Sequence, residues 1–258
     1  MNTVTSKDGT SIAFDRMGEG SPVILVSGGS TDRMANAPLA ELLASDFTVF
    51  NYDRRGRGPS GDTPPYAVER EVEDIDAVVG AAGGSAFLYG TSSGAALALE
   101  AAASGLSISK LALWEPPFIL DENARPPADQ VEQYHKMIAE GRRGDAVEYF
   151  MTKVVGMPAE FAAQARTEPW WPAQEALAHT LAYDATIMGD YSLPIAQASS
   201  VKAPTLVIAG GASFPFMRET AEALARAVPN GTTRTLEGQT HDVAPAVIAP
   251  VLAEFFKA

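Results

Sequence analysis

Cysteine is absent from the 258 residues. The chain therefore holds no disulfide, no thiolate zinc site and no cysteine nucleophile. Histidine is scarce, with three in all, set far apart at His135, His179 and His241. Neither they nor the carboxylates show the spacing of a metal-ligand set, so no metal and no cofactor is expected. Positive charge is short too: 19 Lys and Arg face 32 Asp and Glu, a net charge of −13. Such a field repels phosphate backbones and anionic lipid, so neither nucleic acid nor a membrane is an expected partner. Its plainest reading is a solubilising surface. No apolar run approaches the ~20 residues of a membrane-spanning helix. The start, Met1-Asn2-Thr3-Val4-Thr5-Ser6-Lys7-Asp8, has neither the basic nor the apolar region of a signal peptide. The expectation is a cytoplasmic protein acting on a small molecule. The sequence is silent on oligomeric state, and a homo-oligomer is compatible with it.

What the chain does carry is an alternation of strand and helix. Residues 3–16 hold two short β-prone runs around Lys7-Asp8-Gly9-Thr10, and Asp-Gly there predicts a hairpin turn. Pro22-Val23-Ile24-Leu25-Val26 reads as a buried strand feeding the glycine turn Ser27-Gly28-Gly29. A helix is predicted from about Met34 to Ala44, then a strand over Phe47–Tyr52. The polar loop Asp53-Arg54-Arg55-Gly56-Arg57-Gly58-Pro59-Ser60-Gly61 follows. Val68, Val72, Ile75, Val78 and Val79 recur at helical spacing and predict a helix over 66–81. A strand over Ser85–Tyr89 turns at Gly90-Thr91-Ser92-Ser93-Gly94 into an alanine-rich helix over Ala95–Ala103. Leu111–Trp114 is the next strand, stopped by Glu115-Pro116-Pro117. This order implies an α/β fold with a mostly parallel, doubly wound sheet and right-handed crossovers.

From Phe118 to Ser199 the pattern changes to helices without strands, punctuated by prolines 126, 127, 158, 169, 172 and 194. Alternation then resumes with a strand over Thr205–Ala209, a helix over Pro215–Ala227, a strand over Thr232–Leu236 and a last helix over Val243–Phe256. The predicted organisation is a core of residues 1–117 and 200–258, interrupted by a helical insertion over 118–199.

The turn at Ser92 carries the chemistry. A serine hydroxyl is almost never ionised near neutral pH, so it attacks only with a base in hydrogen-bond reach. A tight strand-to-helix turn lifts it above the sheet, and small residues two positions away on both sides let the backbone bend that sharply. Gly90 and Gly94 stand at those positions around Ser92. Ser93 lacks such flanks and is the weaker nucleophile candidate. The turn also sets the Ser93 amide at a helix N-terminus, where it can hold a developing oxyanion. The bland alternative is a glycine-rich turn that merely opens a helix.

The base candidate is His241, in Glu237-Gly238-Gln239-Thr240-His241-Asp242, after the last strand and before the last helix. That loop belongs to the same sheet edge as the Ser92 turn, outside the carboxyl ends of the parallel strands. His135 and His179 fall in the helical insertion. The alternative for His241 is a cap or surface residue.

These residues resemble the α/β-hydrolase superfamily over nearly the whole chain. Ser27-Gly28-Gly29 occupies the place of the oxyanion loop, which implies the Gly29 amide as second oxyanion donor. Tyr52-Asp53-Arg54-Arg55-Gly56-Arg57-Gly58-Pro59-Ser60 is similar to the family's second glycine loop. Gly90 to Gly94 resembles the nucleophile elbow, and Gln239 to Asp242 the catalytic histidine loop. The insertion resembles the helical cap that roofs the active site. Two departures stand out. Ser27 replaces the usual histidine of the oxyanion loop. The aspartate expected beyond the strand after the cap is missing from Ala209-Gly210-Gly211-Ala212-Ser213-Phe214-Pro215, where Ser213 stands about in its place. A histidine base still needs an acid on its other nitrogen. Glu115 ends the strand after the elbow helix, as does the acid of one group of haloalkane dehalogenases, and is the preferred candidate. Its alternative role is to cap the loop before Pro116-Pro117. Asp121 and Glu122 are outside candidates, and Asp242, next to the base, is badly placed. Dehalogenase chemistry itself needs an aspartate where Ser92 stands.

The implied reaction is acyl transfer to water on a small, largely apolar carboxylic ester, thioester or lactone. Two alternatives remain: a lyase-type member using the same triad, and a ligand-binding protein with a weak or dead site. Tyr134, Met137, Phe150, Met151, Trp170, Trp171, Tyr183 and Met188 are expected to be insertion core more than pocket lining. Arg54, Arg55 and Arg57 could hold an anion, but a surface loop with internal ion pairs is the expected reading. Glu115→Gln is expected to lower turnover by orders of magnitude and Ser213→Ala to change little.

Overall fold

Parallel strands covered on both faces read as largely apolar runs, and the β-prone segments of this sequence include several of them. In the computed structural model, which describes residues 1–258, they build an eight-stranded sheet. Its strands are β1 (Asn2–Thr5), β2 (Ser11–Met17), β3 (Ser21–Val26), β4 (Phe47–Tyr52), β5 (Ala86–Thr91), β6 (Ile108–Trp114), β7 (Thr205–Gly210) and β8 (Gly231–Leu236). The order is β1-β2-β4-β3-β5-β6-β7-β8. β1 and β2 form the expected antiparallel hairpin, β2 pairs antiparallel with β4, and all later pairs are parallel.

Side chains alternate faces along each strand. Ile24 and Val26 of β3 pack on one side with α2 (Val68–Ala81), α3 (Ser93–Ala103) and α10 (Pro215–Ala227). Val23 and Leu25 pack on the other with α1 (Ala37–Leu43) and α11 (Pro245–Lys257). The sheet is therefore a central layer between two layers of helices. The predicted helix starts shift for a physical reason. Pro38 and Pro245 lack the N–H that a helix interior needs and favour the first turn, although α11 also accommodates Pro250 in its interior. Hence α1 begins at Ala37 after a 3-10 turn over Arg33–Asn36, and α11 begins at Pro245 rather than Val243.

Between Trp114 and Thr205 there is no strand. This stretch holds α4 (Gln130–Ala139), α5 (Arg143–Tyr149), α6 (Ala159–Ala165), α7 (Trp171–Leu177), α8 (Leu181–Met188) and α9 (Ile195–Ser200), with a π-helical turn over Phe150–Val154. Tyr134, Met137 and Trp171 are buried in its own small core, with Phe150, Met151 and Tyr183 packed partly against it. Met188 joins the main core instead, and Trp170 is exposed. No helix is long and apolar enough to cross a membrane.

The topology itself locates the site. From β3 the chain steps outward to β4, then returns past β3 to β5 and proceeds the other way. The loops leaving β3 and β5 thus diverge to opposite sides, and a crevice opens between them at the strands' carboxyl ends.

Candidate active site

Val26 at the end of β3 lies opposite Gly90 at the end of β5, so Ser27-Gly28-Gly29 and the Ser92 turn emerge side by side. Ser92 has φ 55° and ψ −127°, a conformation that costs a non-glycine residue of order 1–3 kcal/mol. Its N–H donates to the Trp114 carbonyl at 2.9 Å, which ties the turn to β6. The flanking glycines are required by contact. A Cβ on Gly94 would run into the Ser27 carbonyl oxygen, and one on Gly90 into the Gly94 carbonyl. A Cβ on Gly28 would lie 3.1 Å from the Ser92 Cβ, so the glycine loop presses directly on the serine. Ser92 itself is half-buried.

Glu115 follows β6, also at positive φ, 43°, with no solvent exposure. Its Oε1 accepts the Gly210 N–H at 2.7 Å. Its Oε2 accepts the Ser213 hydroxyl at 2.9 Å and stands 2.6 Å from His241 Nδ1. Trp114 Nε1–H donates to the His241 carbonyl at 2.8 Å, which fixes the loop from beneath. An ionised carboxylate only accepts, so Nδ1 carries the proton and Nε2 is the free basic nitrogen. No hydrogen bond joins His241 to Ser92 here, and such bonds commonly tighten only on substrate binding. Asp121 caps an exposed 3-10 turn that also contains Glu122, and Asp242 is a neighbour of the base in the chain; none is paired with His241. The Ser213 hydroxyl donates to the very oxygen that meets His241, a contact that the sequence does not reveal.

The glycine loop after β4 departs from expectation in one respect. Its arginines do form ion pairs, but their side chains are not at the surface: Arg54, Arg55 and Arg57 are all at most 1% exposed, while Gly58 and Pro59 at the tip of the loop are exposed. The arginines turn inward onto carboxylates of α2 and α8. Arg55 forks onto Asp74 at 2.7 and 2.8 Å and reaches Asp8 at 3.0 Å. Arg54 forks onto Glu71 at 2.7 Å on both arms and reaches Asp184 Oδ1 at 2.8 Å. Arg57 meets both Asp184 oxygens at 2.8 Å and also donates to the Gly28 and Thr31 carbonyls. Asp184 accepts a fourth hydrogen bond, from the Ser93 hydroxyl, at 2.8 Å. Burial pushes the Asp184 pKa up, but the Arg57 and Arg54 guanidiniums and the Ser93 hydroxyl outweigh it and hold the group below the ordinary aspartate value. A carboxylate so held is a poor base, and Ser93 is buried, so this pair is a poor candidate for nucleophile and base.

Sequence reading missed Asp184. The available signal was a single carboxylate within Leu181-Ala182-Tyr183-Asp184-Ala185, an otherwise uncharged stretch. It also missed backbone strain. Of four non-glycine residues at positive φ, Ser30, Ser92 and Glu115 lie just beyond β3, β5 and β6, around this crevice. No group of three or more His, Asp or Glu side chains is placed to hold a metal ion.

Comparison with known proteins agrees with this architecture. The sequence profile described as alpha/beta hydrolase family matches residues 23–251. The crystal structure of an alpha/beta hydrolase from Sphaerobacter thermophilus is 57% identical, covers 99% of this chain and 100% of its own, and superposes with a TM-score of 0.93. A thermophilic esterase from Thermogutta terrifontis shares the fold at 22% identity and a TM-score of 0.74, over 99% of this chain and 97% of its own. Among curated proteins, an uncharacterized hydrolase of Bacillus subtilis is 26% identical over 54% of this chain and 53% of its own length. The N-formylmaleamate deformylase of Pseudomonas putida is 36% identical over 39% of each chain. The chain thus spans about half or less of the curated relatives it matches. Profile, full-length likeness and the turn between β5 and α3 lead to one conclusion: the chain belongs to the alpha/beta hydrolase family.

Proposed function

We propose that this protein is a serine hydrolase that transfers the acyl group of a small, largely apolar carboxylic ester, thioester or lactone to water. Ser92 is the nucleophile, His241 the base and Glu115 the acid. The observation that carries the reading is the buried Glu115 carboxylate 2.6 Å from His241 Nδ1. It supplies what the missing aspartate would, holding the tautomer that leaves Nε2 free and stabilising the imidazolium that forms.

Nε2 takes the Ser92 proton as Oγ bonds to the substrate carbonyl carbon, and the carbonyl π pair moves onto oxygen. The Gly29 and Ser93 amides hold that oxyanion. On collapse the leaving group departs with the proton from His241, giving an acyl-serine. Water, deprotonated by Nε2, repeats the cycle and frees the acid and Ser92. Residues 118–199 roof the crevice, and their contact with α3 through Asp184 supports this. The deformylase name of one relative fits the same reaction class. A dead binding site has no use for three donors converged on one buried carboxylate.

The test is a fluorophosphonate probe with mass-spectrometric mapping, together with hydrolysis of p-nitrophenyl acetate. An adduct at Ser92, abolished in Ser92→Ala, is expected. Folded protein without that adduct refutes the proposal.

A further inference from the structure

Asp184 belongs to α8, in the helical stretch, yet its four hydrogen bonds come from three donors of the core: one from Arg54 Nη1, two from Arg57 Nη2 and one from Ser93 Oγ. The destinations of those donors matter. Ser93 is the residue whose amide opens α3 beside the nucleophile. Arg57 grips the glycine loop through the Gly28 and Thr31 carbonyls, on either side of Gly29. One carboxylate is therefore shared by both segments that carry the proposed oxyanion amides. It also sits close behind them: a Cβ on Gly29 would lie 3.2 Å from Asp184 Oδ2 and 3.4 Å from Ser93 Oγ.

The cluster is charge-balanced. Arg54 and Arg57 face Glu71 and Asp184, all four no more than 5% exposed. Buried ion pairs of this kind commonly add little stability compared with apolar packing, because desolvation offsets their attraction. What they do impose is geometry. A bare carboxylate behind the amides would repel a developing oxyanion; two guanidiniums cancel that charge and leave the constraint in place.

We infer that Asp184 is a positioning residue: it locks the Ser93 turn and the Gly28–Thr31 loop to α8, so that the oxyanion pocket is complete only when α8 is docked on the core. This rests on the serine-hydrolase reading above. Asp184 does not touch the reacting atoms. It acts through two peptide segments, and its loss therefore weakens transition-state binding while leaving ground-state binding of the substrate nearly unchanged.

The experiment compares Asp184→Asn and Ser93→Ala with wild type on p-nitrophenyl acetate. Asparagine turns one acceptor oxygen into an NH2 group that faces the Arg57 donors, so the cluster opens. Ser93→Ala removes one arm, keeps both ion pairs and keeps the amide. Asp184→Asn should lower kcat about 10²-fold, the scale of losing one oxyanion donor, with KM within about twofold. Ser93→Ala should lower kcat about tenfold with the same KM pattern, the scale of one charge-assisted hydrogen bond. Affinity for an alkyl boronic acid, which forms a tetrahedral adduct on the serine, should fall in parallel with kcat. Affinity for acetate, the product, should not. If Asp184→Asn does not fold, Ser93→Ala decides the matter alone. Folded variants with wild-type kcat and boronate affinity overturn the inference, as does a rise in KM alone. Absence of a Ser92 adduct in wild-type protein instead overturns the hydrolase reading, and the inference falls with it.

Discussion

Glu115→Gln isolates the least usual part of the proposed machinery. The substitution keeps shape and removes charge. In the native site Oε1 holds the Gly210 N–H, and Oε2 takes two further donors, Ser213 Oγ and His241 Nδ1. Glutamine has one acceptor oxygen. The Gly210 N–H is fixed backbone and keeps it, so the new NH2 group points at His241. Nδ1 can then no longer donate there; it becomes the acceptor, and the ring proton moves to Nε2. His241 is left with its proton on the nitrogen that must receive one from Ser92. A wrong-tautomer triad of this sort loses about 10⁴ in kcat, or about 5 kcal/mol of transition-state stabilisation at 1.36 kcal/mol per decade. The fold should survive, because no volume changes and the backbone bond from Glu115 N–H to the Ile208 carbonyl is untouched. The assay is kcat and KM on p-nitrophenyl acetate beside circular dichroism and thermal melting. A folded Glu115→Gln protein that keeps more than about a tenth of wild-type kcat would refute the tautomer argument.

Ser213→Ala loses one donor to the same carboxylate and should lower kcat about 3- to 10-fold, equivalent to about 0.5–1.5 kcal/mol; an unchanged kcat would show that Glu115 is held without it. Ser213 Oγ lies 2.9 Å from the Glu115 oxygen that meets His241, so the double variant Glu115→Gly with Ser213→Asp should recover part of the activity that Glu115→Gly loses. Glycine suits the positive φ of position 115, and equal activity of single and double variants would show that an acid cannot act from position 213. At position 92, Ser92→Gly should melt above Ser92→Ala, both being inactive, because only glycine adopts φ 55° without strain; the reverse order would deny the strain. Stability should also fall in acid. Burial opposes ionisation of Asp8, but the Thr10 hydroxyl and amide and the Arg55 guanidinium prevail and lower its pKa to about 2. A folded-state pKa below the unfolded one gives stability that is complete above about pH 4 and lost toward pH 2. Asp8→Asn should remove about 1 kcal/mol of that acid dependence after solvent screening, read by urea unfolding between about pH 2 and 6. An acid limb of unchanged depth would refute this.

The balance between what was legible in the sequence and what was not follows from range. Strands β3 to β7 were readable because burial on both faces demands apolar runs, and that demand is local. The Ser92 turn was readable because its steric needs fall within five consecutive residues, Gly90 to Gly94. His241 was readable from its place beyond the last strand. The place of Glu115 at the end of β6 was readable too, whereas its 2.6 Å approach to His241 Nδ1 joins residues 126 positions apart. The arginine loop was misread because burial of a charge depends on partners elsewhere in the chain. Arg54 and Arg57 are buried only because Glu71 and Asp184 meet them, the latter from 130 and 127 positions away. No periodicity reports a contact of that range. A related limit hid the role of Ser213, 98 positions from Glu115, which was seen only as the residue standing where an aspartate was expected. A turn whose steric needs fall within a few consecutive residues is therefore open to sequence reading. The constraints that aim it, carried by single polar side chains on distant elements, become visible only when the chain is folded.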